Sequence, residues 1–102
     1  MITAEKVLRR GRLYVEDTYL ELGVGGTGGQ RAILVEAMAL LDNVLKTGQT
    51  DQEYEQGFMH TITRLEQVQQ DMQGIRFMKE RTFTKELIAS LQRIAQDEEV
   101  PV

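Results

Sequence analysis

Cysteine is absent from all 102 residues. Disulfide staples and thiolate metal sites are therefore excluded, and the composition suits a reducing compartment. Proline occurs once, at Pro101, so no pyrrolidine ring interrupts a helix inside the chain. No stretch approaches the roughly 20 apolar residues that a membrane helix needs. Near the N-terminus, Glu5, Lys6, Arg9, Arg10 and Arg12 break up the apolar residues, and no signal-like apolar region follows. These absences point to a cytoplasmic protein with no membrane partner.

What is present is ordinary for a folded domain: 41% hydrophobic and 27% charged residues. A chain of this length makes one domain, residues 1–102, and buries roughly 60–65% of its unfolded surface. The net charge is −4. The excess falls in residues 31–75, where three basic groups face seven acidic ones. An acidic middle makes a nucleic-acid partner unlikely, because phosphate contacts need a basic face.

The pattern is helical throughout. Thr3 can cap a first helix reaching Leu22, with Ala4, Leu8, Gly11, Val15, Tyr19 and Leu22 in one apolar lane. A glycine-rich loop is expected over 23–30. A second helix, Arg31 to Lys46, is apolar over most of its circumference and should sit centrally, with Gly48 as its stop. A capping box, Thr50 to Glu53, opens the third. From there Tyr54, Phe58, Ile62, Leu65, Val68, Met72, Ile75 and Met78 recur at steps of 4, 4, 3, 3, 4, 3 and 3. That is a coiled-coil-like seam. A continuous helix from Asp51 to Glu80 would be about 45 Å long. Such a helix outruns a domain whose radius of gyration should be about 13 Å, unless a second chain covers it or it bends at Gly74. A fourth helix is expected to start at Thr82 or Thr84, and residues 97–102 should form a flexible acidic tail. The expected fold is all-α: an antiparallel bundle of three to four helices, one of them long.

Few residues can carry chemistry. Gly23, Gly25 and Gly28 have the G-x-G-x-x-G spacing, but a helix, not a strand, precedes them and no second strand follows. What survives is a candidate anion site, Gly25, Gly26, Gly28 and Gly29, at the start of the second helix. Ser90 lies inside a helix with no base nearby, and no Glu-x-x-His pair exists for a di-iron site. Neither a metal nor another cofactor is expected, nor catalysis. Arg9 and Arg12 stand one helical turn from Glu5 and Glu16, which makes a salt-bridged solvent face.

His60 is the only histidine and lies opposite the seam. A lone histidine on an outward helical face of a small acidic four-helix chain resembles the histidine phosphotransfer domains. The resemblance implies His60 as phosphoacceptor, with Arg64 as the steadying cation. That family's pattern has Lys three residues after the histidine and Gly four after. Here those places hold Thr63 and Arg64.

The function expected is a non-catalytic protein–protein interaction module, such as an adaptor, chaperone or inhibitor, acting as a homodimer. The interface would be Phe58, Ile62, Leu65, Val68, Met72, Ile75 and Met78. Met59, Met72 and Met78 would add adaptable apolar surface. The alternatives are phosphotransfer through His60 and a small nucleic-acid-binding accessory protein using Arg9, Arg10 and Arg12.

Overall fold

The computed structural model describes residues 3–96. The expected acidic tail lies outside them. Four helices follow in order: α1 (Ala4–Leu22), α2 (Gly28–Thr47), α3 (Asp51–Asp71) and α4 (Met78–Ala95). A short 3-10 turn, Ile75–Phe77, leads into α4. No strand occurs among the described residues. The helices alternate in direction and make an all-α bundle in which each helix packs against the other three.

Local chemistry sets most boundaries. The Thr3 hydroxyl accepts from Lys6 N at 3.3 Å and starts α1. Thr50 accepts from Glu53 N at 3.1 Å and starts α3. Glycine stops two helices, Gly23 after α1 and Gly48 after α2. The loop expected over 23–30 is shorter than the glycines suggest. Thr27 and Gln30 form a reciprocal capping box, so α2 begins at Gly28 and takes in Gly28 and Gly29.

The long third helix does not occur. Helix α3 stops at Asp71, and its 21 residues are matched by the 18 to 20 of the others. Gly74, at φ +93°, reverses the chain through a backbone region that side chains disfavour. The Arg81 guanidinium donates to the Met72 and Gly74 carbonyls, at 2.9 and 2.8 Å, and ties the turn down. Helix α4 then starts at Met78 without a threonine cap. Thr84, expected as a cap, is buried inside α4 and donates to the Glu80 carbonyl at 2.7 Å. With α3 ending at Asp71, the longest axis of the bundle is 41 Å and the radius of gyration 13.4 Å. Nothing in the helix length demands a covering chain.

The core draws on all four helices: Leu8 and Val15, Ile33, Leu34 and Leu41, Phe58 and Leu65, Leu87, Ile88 and Leu91. Gly11 lets α1 press on this core, because a Cβ there would stand 3.1 Å from Phe58 and 3.3 Å from Leu91. Helix α2 is less enclosed than its composition suggests. Its buried residues, Ile33, Leu34, Ala37 and Leu41, share one face, while Val35 is 49% exposed. Ion pairs flank that helix: Arg12–Asp42 toward α1 and Arg64–Glu36 toward α3, both at 2.7 Å.

Candidate functional site

An open groove of about 750 Å³ lies between α3 from Asp51 to Glu66, the start of α1 and the end of α4. Its origin is steric. Phe58 and Val7 form the floor, both nearly buried. Ala4 on α1 and Ala95 on α4 stop at Cβ, so neither flanking helix reaches across to fill the space. One side is a flank of α3 bearing Asp51, Glu55, Met59, Ile62 and Glu66, which recur at steps of 4, 4, 3 and 4. Such steps keep side chains on one strip of a helix. Met59 is 60% exposed there and Ile62 half-buried.

The electrostatics are one-sided. Three carboxylates line the groove, and no lysine, arginine or histidine does among the described residues. Asp51 is partly committed, accepting from Ala4 N at 3.0 Å and so tying the first turn of α1 to α3. Glu55 and Glu66 enter no ion pair among the described residues. The groove therefore has an apolar floor and an acidic rim.

The expected interface residues do not form one surface. Phe58 and Leu65 are core. Val68 and Met72 are half-buried against it. Ile75 and Met78 lie beyond the Gly74 turn, 83% and 53% exposed, at the other end of the bundle. Only Ile62 and the edge of Phe58 meet the groove. Met59 lies outside the seam, and the residues that mark it as a site flank it: Glu55 one turn before and Glu66 two turns after.

His60 is exposed on the face of α3 turned from the groove. Arg64, the cation that would steady a phosphoryl group, hydrogen-bonds Glu36 instead. That bond is also the main reason its pKa is raised. The glycine site is similarly engaged. The Glu80 carboxylate stands where an anion would sit at the N-terminus of α2. It accepts from the Thr27 hydroxyl at 3.0 Å and lies so close to Gly29 that a Cβ there would be 2.8 Å from Glu80 Cγ. Gly25 and Gly26 precede α2 in the loop. Ser90 is buried and accepts from the Tyr14 hydroxyl at 3.1 Å. Arg9 and Arg12 pair with Glu5 and Glu16 at 3.1 and 2.7 Å, as their spacing implies. No cluster of three or more His, Cys, Asp or Glu suited to a metal occurs among the described residues. No helix among them is long and apolar enough to cross a membrane.

The described residues define a small four-helix bundle with an acidic-rimmed apolar groove. No protein-family model, curated protein or solved structure matches the chain.

Proposed function

We propose that this chain is a non-catalytic protein–protein interaction module whose docking surface is the groove between α1, α3 and α4. The observation that supports this most is Met59, an exposed, flexible apolar side chain beside Ile62 over an apolar floor. Apolar clefts rimmed by polar groups are typical sites for helical or extended segments of a partner. Methionine adapts to varied partner shapes. The acidic rim selects a segment carrying lysine or arginine, mainly through encounter rate and orientation. A cytoplasmic setting suits a fold that uses no disulfide.

The test is a photo-crosslinking amino acid placed at Met59 in cells that make the protein. A discrete adduct from position 59, with none from position 60 on the opposite face, is the expected result. No adduct at 59, or equal labelling at both positions, would refute the reading. The adduct's mass separates a different protein from a second copy.

A further inference from the structure

The far end of the bundle carries the groove's complement. After Gly74 the chain emerges as Ile75, Arg76, Phe77, Met78 and Lys79. Ile75 and Met78 are 83% and 53% exposed. The Arg76 guanidinium lies over the Phe77 ring, 4.8 Å from its centroid, and Lys79 is exposed. Neither cation enters an ion pair among the described residues. The two Arg81 hydrogen bonds fix the base of this turn, so little flexibility is lost when it docks. One end thus offers two apolar side chains with two uncompensated cations. The other offers an apolar groove with two uncompensated carboxylates, Glu55 and Glu66.

The turn at 74–79 cannot reach the groove of its own chain. Helix α4 separates the two features, with Met78 at one end and Ala95, in the groove wall, at the other. Its 18 residues span roughly 27 Å. We propose that the groove's occupant is residues 74–79 of a second copy of this chain. Ile75 and Met78 would pack on Met59 and Ile62, while Arg76 and Lys79 meet Glu55 and Glu66. This rests on the reading of the groove as a protein-docking surface. The contact joins unlike surfaces at opposite ends, so it repeats head to tail and gives chains or rings, not a two-fold dimer.

The experiment is sedimentation and light scattering of the whole chain and two charge-reversed variants, from micromolar to millimolar concentration. One variant, Glu55→Lys with Glu66→Lys, removes the acidic rim. The other, Arg76→Glu with Lys79→Glu, removes the basic turn. All four positions are exposed, and circular dichroism confirms that both variants fold. The native chain should grow in mass with concentration and shrink with added salt. Each variant alone should stay monomeric. Mixed, they should associate again as alternating copies, because the basic turn of one meets the native acidic rim of the other and the reversed turn meets the reversed rim. Ile75→Ser, an uncharged change, should weaken native association roughly tenfold. A native chain that is monomeric throughout overturns self-docking, and so does association unchanged in either variant or a mixture that stays monomeric. In the first case the adduct at position 59 still decides, separately, whether the groove docks a different protein.

Discussion

Gly57 is where helix propensity and packing disagree most sharply. It lies inside α3, where replacing glycine by alanine ordinarily stabilises by about 0.8–1.0 kcal/mol. Here the new Cβ would stand 2.4 and 2.6 Å from the two methyls of Val44 on α2, and 3.0 Å from its Cβ. Valine is branched at Cβ and holds one strongly preferred rotamer in a helix, so turning it cannot remove both methyls. Relief requires α2 and α3 to move apart, and overpacking of this kind costs about 1–3 kcal/mol. The packing term exceeds the propensity term, so Gly57→Ala should destabilise the fold by about 1 kcal/mol. In a domain of this size that lowers the melting temperature by roughly 4–8 °C. Urea unfolding followed by circular dichroism reads it directly. In a Val44→Ala background the methyls are gone, and Gly57→Ala should there become neutral or stabilising. If it stabilises the native chain as much as the Val44→Ala chain, the close approach of α2 and α3 is wrong.

Three further outcomes are expected. Leu65 is fully buried, so Leu65→Asp places an unpaired carboxylate in the core and should abolish cooperative unfolding; a folded variant with native helicity would contradict the core assignment. Thr27 caps α2 and also donates to Glu80, so Thr27→Ala should lower stability by about 1 kcal/mol, seen as a shifted urea midpoint with unchanged slope. His60→Ala should change stability by less than about 0.5 kcal/mol and leave the Met59 crosslink intact. An acid-labile phosphate, formed with acetyl phosphate on the native chain and lost in His60→Ala, would favour phosphotransfer over docking.

Where a threonine met an unambiguous apolar lane, the boundary was legible. Thr3 and Thr50 cap the helices their positions imply, α1 and α3, and Gly23 and Gly48 end α1 and α2. Thr27 carries the same signal, a threonine followed three residues later by glutamine, but glycines on both sides disguise it. Glycine is a poor helix interior residue, yet the first turn of α2 tolerates it because a reciprocal cap satisfies the end. The groove was not legible for a different reason. Spacing alone shows that Glu55, Met59, Ile62 and Glu66 share a strip of α3. It does not show that the strip is left uncovered, since that depends on Ala4 and Ala95 being short and adjacent, and they come from opposite ends of the chain.

The broken seam shows what periodicity measures. Steps of three and four residues record the angle of each side chain about a helix axis, and they carry no information on whether that axis continues. From Val68 to Met72, Ile75 and Met78 the steps stay at 4, 3 and 3 while the chain leaves one helix, reverses at Gly74 and enters another. The register persists across the joint although no single surface runs through it. Burial separates the two cases. A continuous seam would keep one exposure along its length, whereas Leu65 is fully buried and Ile75 is 83% exposed. Ile75 and Met78 thus lie outside the bundle's own core. Their exposure is what leaves Ile75 and Met78 available to the acidic groove of another copy.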